Sequence, residues 1–207
     1  TELGGIVIEG TVSKSTPYIY NIGIDNTTQL IARRSAVNTI IKDKGYTIEA
    51  DDLIYVSARV IAGGTNQSGS LVSKGMAALG TQFRIGSLRN TLADPYTKNH
   101  YTFVSVLATE NNTTVQFSDI KTETSLINNA GAGNMPSSVI LNRGESFVMA
   151  VEGPEEKNRD GLIGSLVSSD KPIAVNCGSF AGSNASQNLD LGFDQIVPVE
   201  RTGTEYI

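Results

Sequence analysis

The chain has 207 residues, with 16 Lys and Arg against 21 Asp and Glu, one His, one Cys, no Trp and 21 Gly. A net charge of −5 argues against a nucleic-acid partner, because binding to phosphates begins with a concentrated basic surface. A single Cys beside a single His excludes an internal disulfide, a zinc finger and an Fe–S site, and no apolar run approaches the roughly 20 residues that span a bilayer, so no transmembrane segment is expected.

Short apolar runs of period two, or of nearly continuous β-branched and aromatic content, alternate with Gly, Asn, Asp and Pro clusters, which predicts an all-β chain. In the first half the predicted strands are Gly5–Gly10, Tyr18–Ile24, Gln29–Ala32, Tyr46–Ile48, Leu53–Ile61 and Gln82–Ile85. Beyond residue 100 they are Tyr101–Ala108, Thr114–Ser118, Ser138–Leu141, Ser146–Val151, Ile163–Ser168, Ile173–Ser179 and Gln195–Pro198. Val37–Lys42 and Ser73–Leu79 suit a helical turn or two and are too short for independent helices. The start, TELGGIVIEG, lacks the basic opening of a signal peptide, and GTEYI at the end reads as the beginning of a strand, so the chain is expected to be part of a longer protein.

The same order of signals occurs twice. Tyr18–Ile24, a D-N-T-T tip, Lys44-Gly45 and the run from Asp52 to Ser57 are matched by Tyr101–Leu107, an E-N-N-T-T tip, Arg143-Gly144 and the run from Asp170 to Asn176. Asn and Asp tolerate left-handed backbone and bond their own main chain, which makes the two tips turns. The expected organisation is an N-terminal strand of a larger unit over 1–16, a first β repeat over 17–99 and a second, truncated at its C-terminus, over 100–207. Each repeat offers about four antiparallel strands that must stack on a neighbour, as blades of a β-propeller or as layers of a β-sandwich.

No residue set carries a catalytic signature. His100 lies in KNHYTF with no nucleophile elbow and reads as a strand-edge or loop histidine. Cys177, inside the run Ile173–Cys177, reads as a small packed hydrophobe with no cation on its C-terminal side to activate it. Glu49, Asp51 and Asp52, and the pair Asp190 and Asp194, would suit calcium, but the EF-hand spacing is absent, so metal binding stays open and no cofactor is expected. The charged stretch Gly153–Gly161 reads as a solvated tip. Gly131-Ala132-Gly133 has no third glycine to make a dinucleotide fingerprint. The N-x-[ST] sequons at Asn26, Asn66, Asn111, Asn112 and Asn184 read as turn residues.

The stretches Ala108–Asp119 (ATENNTTVQFSD), Leu141–Met149 (LNRGESFVM), Gly161–Phe180 and Phe193–Ile207 resemble the IgGFc-binding protein N-terminal domain family. The form is similar to that in large surface proteins of gliding flavobacteria, and Ser68–Ser87 matches the same bacterial subgroup. The resemblance covers most of 17–207. It implies an extracellular, non-catalytic, β-rich module of long secreted or surface-tethered proteins, which in bacterial members commonly precedes repeats and a type IX secretion sorting domain. It carries over no site residues.

The function expected is adhesion or binding at the bacterial cell surface, to a protein or glycan, through loops on a rigid sheet framework. Outer-membrane or motility proteins are candidate partners. The candidate contact loops are Ala62–Ser70, Asp94–His100, Asn128–Pro136 and Gly182–Asp190, the longest polar ones. A spacer or scaffold in a cell-envelope or gliding-associated complex is the alternative, and a secreted hydrolase with an Asp or Glu pair is the rival from another class.

Overall fold

The computed structural model describes residues 7–24, 28–42, 44–61, 68–90, 100–128, 137–152, 155–182 and 190–205. The chain is all-β, built from antiparallel strands: β1 (Ile40–Ile41), β2 (Ser57–Ile61), β3 (Ser68–Val72), β4 (Gly80–Arg84) and β5 (Tyr101–Ala108). There follow β6 (Thr113–Ser118), β7 (Ser138–Leu141), β8 (Ser146–Glu152), β9 (Leu166–Gly182) and β10 (Asp190–Ile196). Among the described residues regular helix is limited to single 3-10 turns, and no helix is long and apolar enough to cross a membrane.

Eight strands form one sheet, and β9 organises it. Its N-terminal part pairs with β6 and β4, and its C-terminal part with β5 and β10. β5 and β6, joined by residues 109–112, follow each other along one edge of β9, which leaves the opposite edge to β10 and β4. Two layers result, β1-β8-β5-β9-β10 and β7-β6-β9-β4, with β9 belonging to both. The eight strands make one nearly closed, barrel-like sheet; of the two architectures expected from sequence, the arrangement shows no propeller blade and allows the sandwich, with β9 as a corner strand that passes from one layer to the other.

The two runs expected as separate strands, Ile163–Ser168 and Ile173–Ser179, are thus parts of a single 17-residue strand. The intervening Pro172 reads locally as a breaker. It falls where the ladder changes hands, after the last β6 partner at Ser169 and before the first β5 partner at Ile173, so its missing N–H leaves no bond unmade. Side chains stitch the corner instead. The Thr114 N–H donates to Asp170 Oδ1 (2.8 Å) and Thr109 Oγ1 donates to the Pro172 carbonyl (2.5 Å).

Alternation decides which side chains meet between the layers. In β5 the residues Thr102, Val104, Val106 and Ala108 are buried while their neighbours are half-exposed. Val104, Val106 and Ala108 join Phe83 of β4, Val115 and Phe117 of β6, Leu141 of β7, Phe147 of β8 and Val175 of β9 in one core. The Phe117 and Phe147 rings, from different layers, lie 5.6 Å apart. Burying such side chains contributes about 1.5–3 kcal/mol each.

The expected strands 5–10, 18–24, 29–32 and 46–48 are not formed among the described residues. A strand needs a ladder partner as well as a suitable sequence. Within 18–24 the Asn21 Oδ1 accepts the Gly23 N–H (2.9 Å) and Gly23 takes φ 102°, which turns the chain. The helical turn expected at Val37–Lys42 is displaced to Arg34–Ala36. Asn38 stops it at φ 62° and donates its N–H to the Val148 carbonyl (2.8 Å), so Ile40 and Ile41 pair with β8. At Ser73–Leu79 the expected turn is present as 3-10 over Gly75–Ala78. Leu53–Ile61 is strand only from Ser57, where it pairs with β3 in a separate two-stranded sheet.

The turn chemistry held in two places. Asn112, in the E-N-N-T-T tip, has φ 53°, and Gly144, after Arg143, has φ 80°. The D-N-T-T tip at 25–27 lies outside the described residues.

Candidate functional site

Of the four candidate loops, residues 62–67, 94–99, 129–136 and 183–189 lie outside the described residues, and their roots are described. Ser68–Ser70, read from sequence as loop, belongs to β3, and Asp190 opens β10. Ile61 pairs with Ser68, and the Ser68 N–H donates to Asp190 Oδ1 (2.9 Å). Asp190 pairs with Gly182, Gly182 bridges to Asn90, and Asn90 Nδ2 donates to the His100 carbonyl (3.0 Å). Three of the four loops therefore leave the protein side by side at one end of β9. The fourth starts from Asn128, whose Oδ1 accepts from Asn38 Nδ2 (3.2 Å) over β8.

A buried amide holds this end together. Asn90 is fully buried, as are Thr102 of β5 and Ser179 of β9. Its Nδ2 donates to the His100 carbonyl and to Thr102 Oγ1 (3.2 Å), its Oδ1 accepts from the Ser179 hydroxyl, and its N–H donates to the Arg159 carbonyl (3.2 Å). Both amide donors and the amide oxygen are satisfied, as burial requires. The sequence gives no hint of this role, since an Asn in SLRNTLADP looks like any other turn residue.

Beside the loop roots the outer face of the β5–β9 ladder is aromatic. The register Thr102↔Ser179 sets Tyr101 next to Phe180 and Phe103 opposite Gly178. The Phe180 ring lies 6.2 Å from Tyr101 and 5.6 Å from Phe103, and Phe180 is 41% exposed. Gly178 has to be glycine, because a Cβ there would meet the Gly192 carbonyl oxygen and come within 2.7 Å of Phe193 Cβ. Val37, Ile127 and Ala150 pack beneath Tyr101 and Phe103. At the rim Arg34 pairs with Glu152, whose hydrogen bond raises the guanidinium pKa further. An apolar centre with a charged rim is the anatomy of an interaction surface. The signal for it was an apolar residue on the outward phase of a strand.

The residues tested for chemistry are placed otherwise. Cys177 is buried, its thiol donates to the Gly86 carbonyl (2.7 Å), and burial pushes its pKa up, which keeps it protonated. The Nδ1 of His100 is buried with no partner among the described residues. Asp52 Oδ1 accepts the N–H of Leu53 (2.6 Å), Asp190 Oδ1 those of Ser68 and Leu191, and Asp194 pairs with Lys74 (2.7 Å). Among the described residues no three His, Cys, Asp or Glu converge as metal ligands do. In the charged stretch Lys121 pairs with Asp160 (2.8 Å) and holds its carboxyl below the usual range. A shallow depression of about 370 Å³, lined by Thr114, Gln116, Ser168, Ser169 and Asp170, holds one carboxylate, whereas glycoside hydrolysis needs two facing each other.

Comparison with curated proteins and with solved structures found no match. The family model described as IgGFc binding protein matches residues 68–207, a span that takes in the eight-stranded sheet apart from β1, the buried amide and the aromatic face. With most of its length and all but the outermost strand of its main sheet inside that match, the chain belongs to the IgGFc binding protein family.

Proposed function

We propose that the chain is a non-catalytic, extracellular binding module of a large secreted bacterial surface protein, and that it holds a protein or glycan at one end of the sheet. The observation that carries this reading is the convergence of three loop roots beside the exposed Phe180. Loops on a rigid scaffold are where binding residues concentrate, and exposed aromatics next to them supply anchors. The family membership supports a binding role. The resemblance of the sequence to flavobacterial gliding-associated proteins supports the cell-surface setting, with outer-membrane or motility proteins among the partners. Immunoglobulin contact is not carried over to any residue here.

The test is a screen of the full chain against arrays of glycans and cell-surface proteins, repeated with Phe180→Ala and with Tyr101→Ala. A ligand lost or weakened about tenfold or more by either variant supports the reading. Binding that both variants leave intact, or none to any array member, overturns it. The second reading, a spacer or assembly module, is favoured by the outer edge of β2, which has no partner among the described residues.

A further inference from the structure

We propose that residues 53–61 pair with the same residues of a second copy of the chain, joining two β2–β3 hairpins into one four-stranded antiparallel sheet. This goes beyond the ligand-binding reading and uses the outer edge of β2, whose last residue, Ile61, is also the root of one candidate loop.

The hairpin is a two-stranded sheet with β3 on one side of β2 and, among the described residues, no partner on the other. Two strands alone are marginal. The hairpin gains support by docking β3 on β10, where the Lys74 N–H donates to Gln195 Oε1 (2.6 Å) and Lys74 Nζ pairs with Asp194. That docking leaves the β2 edge outside. The Ser73 N–H donates to the Val56 carbonyl, extending the ladder by one pair and fixing its phase. Antiparallel alternation then turns the N–H and C=O of Ser57, Arg59 and Ile61 outward. The edge carries none of the Pro or Lys residues that usually guard one.

The occupant is argued from the sequence of the edge itself. LIYVSARVI, residues 53–61, is nearly palindromic in chemical character about Ser57. Antiparallel pairing across a two-fold axis at Ser57 sets Leu53 against Ile61, Ile54 against Val60, Val56 against Ala58 and Tyr55 against Arg59. Each is an apolar or cation–π match, and no like charges oppose. Two-fold interfaces are self-complementary in this way, and an unrelated strand would have no reason to match a palindrome. One face of the edge is also exposed now, with Leu53 at 99%, Tyr55 at 75% and Ile61 at 78%. Pairing would bring Leu53 of each copy onto Ile61 of the other.

Nine residues cover less than the about 800 Å² per partner of a standard interface, so the dimer is expected in the micromolar range. The experiment is sedimentation velocity of the full chain from about 1 to 200 µM, with amide exchange of residues 53–61 followed over the same range. Two variants accompany it. Ser57→Pro removes an outward N–H without touching the bonds to β3, and Leu53→Lys leaves the backbone intact should the proline disturb the hairpin. The expected result is a concentration-dependent dimer, with slower exchange at Ser57, Arg59 and Ile61, abolished by Ser57→Pro and weakened at least tenfold by Leu53→Lys. A monomer throughout, or a dimer that Leu53→Lys leaves unchanged, overturns the proposal.

Discussion

Replacing Asn90 by Ala tests the role of the buried amide. The change removes the bonds to the His100 carbonyl, Thr102 Oγ1 and the Ser179 hydroxyl. At about 1 kcal/mol net for each bond, the expected loss is about 3 kcal/mol. Thr102 and Ser179 are fully buried, so water does not replace the amide for them, and an orphaned buried hydroxyl adds to the cost. The two hydroxyls flank one another across the β5–β9 ladder, and rotation toward each other would recover part of it. Urea unfolding of Asn90→Ala, Ser179→Ala and the double variant measures both quantities. The double variant should be less destabilised than the sum of the singles, by about 1 kcal/mol, as in other shared networks. A loss below about 0.5 kcal/mol for Asn90→Ala, the level of an ordinary surface change, or strict additivity with Ser179→Ala, would refute the claim that this amide ties the loop roots together.

Gly178→Ala should lower stability by about 1–3 kcal/mol, read as a fall in Tm, because the added Cβ meets the backbone of Gly192 and the base of Phe193 rather than a movable side-chain tip. Cys177 should react with a thiol reagent at pH 8 far more slowly in the native protein than in denaturant, since burial and the raised pKa both deplete accessible thiolate; equal rates would contradict its place in the core. Asp160, whose folded carboxyl is held below its ordinary value of 3.8 by Lys121, contributes stability that is present above that pH and lost as pH falls through the lowered pKa. The pair is partly exposed, so Lys121→Gln should cost no more than about 1 kcal/mol at pH 7 and nothing once Asp160 is protonated in both states; a cost unchanged at low pH would show that the ion pair is not its source.

The strands from residue 101 to 152 were legible because β5, β6 and β7 alternate, β8 is a short, nearly continuous apolar run, and each is bounded by its own turn chemistry. Asn112 and Gly144 adopt the left-handed backbone that such turns require. What local reading could not supply was pairing. Pro172 looked like an end and is a change of partner, while Tyr18–Ile24 looked like a strand and has no ladder among the described residues. The polar loops were visible as composition, but the adjacency of Gly182, Asn90 and Asp190 depends on the bridge between Asn90 and Gly182, which lie far apart in the chain. The aromatic face was half-legible. Tyr101 and Phe103 stand on the outward phase of β5, yet only the register with β9 adds Phe180.

The corner strand also governs how the protein can form. β4, β5, β6 and β10 all complete their ladders on β9, and for the first three that means waiting for residues synthesised long after them. Until 166–182 arrive, β5 has β8 and β6 has β7, two pairs that meet at the turns around 109–112 and 142–145 but have no ladder between them. Ladders that close over such long stretches of chain fold slowly, on the scale of about milliseconds to seconds. The two layers should therefore be completed together in one late, cooperative step, and a chain cut before Leu166 should keep at most the β5–β8 and β6–β7 pairs.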